Sequence, residues 1–178
     1  GMTIINPSDD IEAKAAVKAA YEMEGPVYLR FGRLAVPVIN DRDDYKFEIG
    51  KGVVLKEGTD LTLIATGLEV AESLAAAEKL EAEGISVEVV NMHTIKPLDV
   101  DLVVRSAAKT GKVVTVEEHS IIGGLGSAVA EVIAEKQPAK LLRIGVEDRL
   151  GESGPALKLL EKYELDAAGI YKKVKAFL

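Results

Sequence analysis

Two arginines are the residues of this sequence best suited to hold an anion. Arg30 and Arg33 flank Gly32 at the carboxyl end of a strand predicted over residues 26–31, in a chain with a net charge of −7. A guanidinium can bind a phosphate or carboxylate through two hydrogen bonds, and Gly32 would let the backbone approach such a ligand. The alternative is that both arginines pair with the aspartates of the acidic stretch at 41–44.

A glycine-rich turn is the second candidate for anion binding. Its backbone N–H groups and the start of the following helix could hold a phosphate. The spacing G-G-x-G is not the dinucleotide fingerprint, and no acidic residue ends the next predicted strand. We therefore interpret the turn as a packing element, with a nucleotide- or anion-binding module as the alternative. The turn residues are Gly123, Gly124, Gly126 and Ser127.

The two histidines, His93 and His119, follow the predicted carboxyl ends of parallel strands. Open α/β sheets bind ligands there, so both are candidates for acid–base chemistry or substrate contact. No nucleophile stands beside them, and two histidines make a weak case for a metal site. We favour a structural role in loops and assign no catalytic residue and no metal ligand.

The composition limits the classes of protein to which this chain can belong. The chain has 178 residues, 48% of them hydrophobic, and contains no Cys. It lacks the run of about 20 apolar residues that a membrane span needs, so we expect a globular, cytoplasmic protein with no membrane partner. Its negative charge also argues against nucleic acid as a partner. Gly1 ahead of Met2 is interpreted as a tag remnant.

Strands alternating with helices predict an α/β fold, a three-layer sandwich. We expect a mostly parallel five-stranded sheet with one antiparallel edge strand and helices on both faces. Hairpin spacing at 57–60 predicts that the edge strand pairs with the strand after it. Helices are predicted to begin near Glu69, Asp99, Gly126 and Asp166, with another along residues 156–163. The predicted strands are Val53–Leu55, Leu61–Ala65, Ser86–Asn91, Val113–Glu117 and Leu141–Val146.

The first residues predict a partial β-α-β unit, with a strand at Thr3–Asn6, a helix opening at Ser8 or Asp9, and the strand at 26–31. Such a unit cannot bury both faces of its strands, so it should belong to a larger sheet. Its exposed strands should pair in a dimer or be poorly ordered before Asp44. We expect three parts: the tail of one domain at 1–36, a connector at 37–52 and a complete domain at 53–178.

Four segments together resemble the carboxyl-terminal section of transketolase, in the form built from two kinds of subunit. They occur in the family's order and spacing and cover nearly the whole chain. Related versions occur in deoxyxylulose phosphate synthase and in the beta subunits of 2-oxoacid dehydrogenases, which stay as alternatives. The segments are Gly25–Arg33, Thr62–Gly67, Val89–Asp99, and Val114–His119 with Gly123–Gly126.

This resemblance implies an enzyme of the pentose phosphate pathway that transfers a ketol unit between phosphorylated sugars, using thiamine diphosphate and magnesium. In the family, those cofactors are held by regions that this sequence lacks. It implies that residues 1–36 end a pyrimidine-binding domain and that the chain, inactive alone, supplies structure and a homodimer contact beside an amino-terminal subunit. Arg33, four residues before Pro37, matches a family arginine that contacts the sugar phosphate, with Arg30 as a second candidate.

Overall fold

Two β-sheets and six α-helices form the structure, a computed structural model that describes all 178 residues. No helix is both long enough and apolar enough to cross a bilayer. In chain order the elements are β1 (Thr3–Ile5), α1 (Asp10–Glu22), β2 (Val27–Leu29), β3 (Val53–Lys56), β4 (Leu61–Ala65), α2 (Glu69–Glu81), β5 (Val87–Asn91), β6 (Thr94–Lys96), α3 (Val100–Thr110), β7 (Lys112–Ser120), α4 (Leu125–Glu135), β8 (Lys140–Val146), α5 (Ala156–Tyr163) and α6 (Ala167–Phe177). A five-stranded sheet has the order β3-β5-β4-β7-β8, and a three-stranded sheet has the order β2-β1-β6.

The larger sheet is parallel except at one edge. Strand β4 pairs in parallel with β5 and β7, β7 pairs in parallel with β8, and β3 runs antiparallel to β5. Neighbouring residues of β4 belong to hydrophobic clusters on opposite faces, Leu63 to one and Ile64 to the other. Val70 of α2 and Ile170 of α6 lie in the first cluster, and Leu102 of α3 lies in the second. The predicted three-layer α/β sandwich with one antiparallel edge strand is confirmed.

The partner of the edge strand was predicted wrongly. Strand β3 pairs with β5, through Val53 opposite Asn91, and does not form a hairpin with β4. All five residues of β4 are buried, so this strand takes a central position with a parallel neighbour on each side. Residues 57–60 therefore connect two strands, β3 and β4, that lie on either side of β5, and they do not form a tight hairpin turn. Gly58 permits this because a side chain there would collide with the backbone of Val87.

A short strand that the sequence reading did not predict completes the smaller sheet. No strand was predicted between Asn91 and Pro97, but Thr94–Lys96 forms β6 and pairs antiparallel with β1. Strand β1 thus has β6 on one side and the parallel strand β2 on the other. The smaller sheet therefore combines strands from residues 1–36 with one from residues 53–178. Strand β2 remains at the sheet edge, where Tyr28 is 53% exposed.

A buried polar network holds the connector against helix α1. Asp9 caps the helix, as predicted, by accepting from the Glu12 amide at 2.9 Å. Its other carboxylate oxygen accepts from the amides of Ile39 and Asn40, both at 2.8 Å. Burial raises the pKa of Asp9, but the hydrogen bonds from Asn40, Glu12 and Ile39 outweigh it and hold that pKa below its usual value.

The carboxylate of Glu12 is the centre of the same network. It accepts from the Ser8 amide at 2.7 Å, from the Tyr45 hydroxyl at 2.6 Å and from the Asn91 side-chain amide at 2.8 Å. These partners come from the start of α1, the connector and the end of β5. One fully buried carboxylate therefore joins the three parts of the chain.

Candidate functional site

Arg30 joins the end of β2 to the end of β7. Its Nη2 donates to the backbone carbonyl of Glu118 at 2.7 Å and lies 3.6 Å from the Glu118 carboxylate. The alternative in which Arg30 pairs with the aspartates at 41–44 is not observed. Asp44 instead pairs with Arg42, at 3.6 Å. The turn that carries both candidate arginines is thus attached to the larger sheet.

Arg33 has an exposed side chain with no ion-pair partner within 4.0 Å and no hydrogen bond. It lines an open cleft of about 570 Å³ together with Arg30, Glu118 and Leu159. The pairing of Arg30 with Glu118 leaves Arg33 as the uncompensated positive charge of this cleft. Such a group can bind an anion without first giving up an internal partner.

A buried carboxylate behind Arg30 was missed by the sequence reading. Glu69, the first residue of α2, is fully buried, and neither of its carboxylate oxygens has a hydrogen-bond partner. Burial, followed by the charges of Glu72, Glu118 and Asp166, raises the pKa of Glu69 to about 9, while Arg30 opposes the shift. Glu69 is therefore protonated at neutral pH. A glutamate in a first helical turn is usually solvated, so its position in the sequence carried no signal of burial.

The glycine-rich turn, interpreted above as a packing element with anion binding as the alternative, holds a carboxylate of the same chain. Glu117 accepts from the Leu125 amide at 2.8 Å and from the Gly126 amide at 2.8 Å. Burial raises the pKa of Glu117 even though these two amides act in the opposite direction. A side chain at Gly124 would collide with this carboxylate. An external anion at the start of α4 would have to displace Glu117.

The other two turn residues are engaged locally. The Gly123 amide donates to the Ser127 hydroxyl at 2.9 Å, and this hydroxyl donates to the Ile121 carbonyl at 3.2 Å. Gly123 has a φ of 77°, which glycine adopts without strain. The turn is thus stabilised by its own hydrogen bonds.

The two histidines lie in different environments. His93 is fully buried, its ring centroid is 4.4 Å from that of Phe47, and its Nδ1 is 2.9 Å from the Thr94 hydroxyl. Burial lowers the pKa of His93, so its imidazole is neutral at neutral pH. His119 is exposed, and its Nδ1 is 3.2 Å from the Ser120 carbonyl. His93 thus has a hydroxyl as its hydrogen-bond partner, and His119 has a backbone carbonyl.

The acidic residues of the structure form no metal cluster. No group of three or more His, Asp or Glu side chains is arranged to hold a metal ion. Magnesium is usually held by one or two protein carboxylates together with phosphate oxygens and waters. No metal ligand or cofactor ligand is assigned to these residues.

Comparison with known proteins identifies the family of this chain. The family model described as the transketolase C-terminal domain matches residues 50–170. A putative transketolase C-terminal section of Methanocaldococcus jannaschii is 49% identical over 175 residues, which are 97% of this chain and 54% of that protein. The 6-deoxy-6-sulfo-D-fructose transketolase subunit SqwH of Clostridium sp. (strain MSTE9) is 47% identical over 172 residues, 97% of this chain and 53% of that protein.

A solved structure is similar over almost the whole chain. It is described as a split gene transketolase, inactive beta4 tetramer, and superposes with a TM-score of 0.94 at 51% identity. The alignment covers 99% of this chain and 58% of that one, so the chain spans about half the length of the relatives it matches. With residues 50–170 matched by the family model, the chain belongs to the family of transketolase C-terminal domains.

Proposed function

We propose that this chain is the carboxyl-terminal section of a two-subunit transketolase, and that Arg33 contacts the phosphate of its sugar substrates. The observation that carries the proposal is the exposed Arg33 guanidinium, free of ion pairs, on a turn that Arg30 attaches to Glu118. In an acidic chain with a net charge of −7, such an arginine is able to bind an anionic ligand. The whole enzyme would transfer a ketol unit between phosphorylated sugars in the cytoplasm.

Thiamine diphosphate and magnesium would be supplied with the rest of the enzyme. We infer an amino-terminal partner subunit because relatives of this chain are named as a transketolase subunit and as a transketolase C-terminal section. Bound thiamine diphosphate would carry the electron-accepting chemistry of ketol transfer. The residues of this chain would hold and orient the phosphate end of the sugar.

The remainder of the chain would serve as a scaffold. We propose residues 1–36 as the tail of a pyrimidine-binding domain, 37–52 as the connector and 53–178 as the carboxyl-terminal domain, which would also form a homodimer contact. The relative solved as an inactive beta4 tetramer supports self-association and supports inactivity of this chain alone.

The decisive experiment is ketol-transfer kinetics of the complete carboxyl-terminal section, which contains residues 1–178, reconstituted with its amino-terminal subunit. Arg33→Ala should raise KM for a phosphorylated ketol donor about 10- to 100-fold, since a charge-assisted hydrogen bond is lost. The kcat/KM for an unphosphorylated ketol donor should stay unchanged. Arg105→Ala is the matched control because Arg105 is also exposed and also lacks an ion pair. An equal loss with both donors would contradict a role in phosphate binding.

Calorimetry tests the assignment of the cofactor to the partner. Thiamine diphosphate with magnesium, titrated into this chain alone, should give no saturable heat, and the chain alone should show no ketol transfer. Saturable binding to the isolated chain would overturn that part of the proposal. The kinetic comparison of Arg33→Ala with Arg105→Ala would still test the phosphate contact independently.

A further inference from the structure

His93 lies where the three parts of the chain meet. It follows β5, a strand of the larger sheet. Its backbone carbonyl accepts from the amide of Asn6, the residue after β1, at 2.8 Å. Its ring centroid is 4.4 Å from that of Phe47, which belongs to the connector. A change in the charge of this one side chain can therefore affect how all three parts are held together.

The imidazole of His93 has a partner for only one of its two nitrogens. Nδ1 lies 2.9 Å from the Thr94 hydroxyl, whereas Nε2 is buried and has no hydrogen-bond partner. A neutral imidazole carries one N–H group and an imidazolium carries two. Because the ring is fully buried, an imidazolium in this arrangement would leave its Nε2–H without an acceptor, which costs free energy. The observed arrangement therefore fits the neutral ring only.

Two carboxylates act on His93, and both already hold the connector. Burial lowers the pKa of His93, and the charges of Glu12 in α1 and Asp99 before α3 oppose that shift. Glu12 accepts from the Tyr45 hydroxyl at 2.6 Å, and Asp99 accepts from the Gly52 amide at 3.0 Å. An imidazolium would gain an acceptor by competing for one of these carboxylates or by reaching water. Either course breaks a contact of the connector.

The second half of the connector, residues 45–52, is free to open locally. Its two hydrogen bonds to the rest of the protein are the ones that end at Glu12 and Asp99. Its backbone hydrogen bonds, to the carbonyls of Arg42 and Glu48, stay within the connector. A segment with so few contacts can separate from the protein while the sheets and helices stay intact.

The geometry points to an acid-sensitive switch, in which uptake of a proton by His93 releases residues 45–52 from Glu12 and Asp99. When the segment is open, the ring reaches water and has its ordinary pKa of 6.5, whereas the closed form takes up a proton only at lower pH. The closed form is therefore favoured above that pH. Below it, the ratio of open to closed form should rise by up to about tenfold per pH unit. Opening would loosen the attachment of residues 1–36 to residues 53–178.

The test is hydrogen–deuterium exchange, followed by mass spectrometry, on the complete carboxyl-terminal section that contains residues 1–178. Exchange is measured from about pH 8 to about pH 5, with exposure times scaled to the chemical exchange rate at each pH. Protection of a peptide covering 45–52, which includes the Gly52 amide, should fall by up to about tenfold per pH unit below 6.5. A peptide covering α4 should keep its protection.

Variants of the two histidines identify the group that takes up the proton. His93→Phe keeps an aromatic ring beside Phe47 but cannot be protonated, and should remove the pH dependence at 45–52. His93→Gln should also remove it, and it decides the result if the phenylalanine variant does not fold. His119→Phe is the matched control at an exposed histidine and should keep the parent's dependence.

Three outcomes would overturn the inference. In the first, protection at 45–52 does not fall below pH 6.5. In the second, the α4 peptide loses protection to the same extent, which would show that the whole domain unfolds. In the third, the folded His93 variants keep the parent's pH dependence, which would assign the proton to a carboxylate.

Discussion

The guanidinium of Arg30 donates to the backbone carbonyl of Glu118, 88 residues further along the chain, at 2.7 Å. The Glu118 carboxylate is more distant, at 3.6 Å. The backbone of β7, rather than the acidic side chain, is therefore the main partner of Arg30. This contact connects the segment that carries Arg33 to the larger sheet.

Replacing Glu118 and replacing Arg30 should therefore lower the free energy of unfolding by different amounts. Glu118→Gln should lower the free energy of unfolding by less than about 0.5 kcal/mol, because a half-exposed ion pair contributes little. Arg30→Met should lower it by about 1–2 kcal/mol, because the Glu118 carbonyl loses its donor. Urea denaturation measures both values. Equal losses in the two variants would show that the ion pair, and not the backbone contact, holds the segment.

Glu69 should make stability depend on pH. Its pKa is about 9 in the folded chain against an ordinary value of 4.5, so between these values the folded state holds a proton that the unfolded state has lost. The free energy of unfolding should then fall as pH rises, by up to about 1.4 kcal/mol per pH unit. Glu69→Gln should remove this slope and be more stable than the parent above pH 7.

The matched control for that experiment is Glu78→Gln, an exposed glutamate on the same helix. It should keep the slope of the parent chain. Thermal or urea unfolding measured from acid to alkaline pH gives the comparison. A Glu69→Gln variant with the same pH dependence as the parent would show that Glu69 is ionised in the folded state.

Glu117 should stabilise the start of α4 as an internal cap. Glu117→Ala leaves the amides of Leu125 and Gly126 without an acceptor, and should cost about 1–3 kcal/mol of unfolding free energy. Glu131→Ala, on the exposed side of the same helix, should change stability by less than about 0.5 kcal/mol. Chemical denaturation followed by circular dichroism is the measurement. A stabilised Glu117→Ala variant would show that burial of the carboxylate outweighs its two hydrogen bonds.

Tyr45 should control how firmly the connector is held. Tyr45→Phe removes the hydroxyl that donates to Glu12 at 2.6 Å, with an expected cost of about 1–2 kcal/mol. Limited proteolysis should then cut faster within 41–46. Tyr21→Phe is the control because Tyr21 is 90% exposed. Unchanged cleavage would mean that the Asp9 contacts with Ile39 and Asn40 are sufficient to hold the connector.

Local signals in the sequence predicted most elements of the larger domain. The helices after Asp99 and Asp166 begin where these residues cap them, as the sequence indicated. In the last helix, Ile170 and Val174 lie four residues apart on one face and are fully buried. Such features depend on residues three or four apart, so they can be read without knowing the rest of the fold.

Pairings between distant segments were not predictable in the same way. Strand β6 has three residues and forms only because β1 offers it an edge, and no periodicity marks so short a strand. The choice of β5 over β4 as the partner of β3 depends on which strand is central, a property of the whole sheet.

The candidate site was likewise predicted where it depends on residues close in sequence, and not where it depends on distant ones. The spacing of Arg30 and Arg33 placed both on one turn beside a shared cleft. The burial of Glu69 could not be predicted, because the charges that act on it include Glu118 and Asp166, which are distant in sequence. For the glycine turn, the sequence favoured packing over anion binding and did not indicate that Glu117, eight residues before Leu125, would accept from its amides.

The position of β6 also constrains the order in which the protein can form during synthesis. Strand β1 leaves the ribosome before its antiparallel neighbour β6, which ends at Lys96, more than half of the chain later. Contacts between residues so far apart in sequence slow folding, because the intervening loop must close first. One edge of β1 therefore stays open until β6 has been synthesised, and a chaperone would protect that edge during the interval.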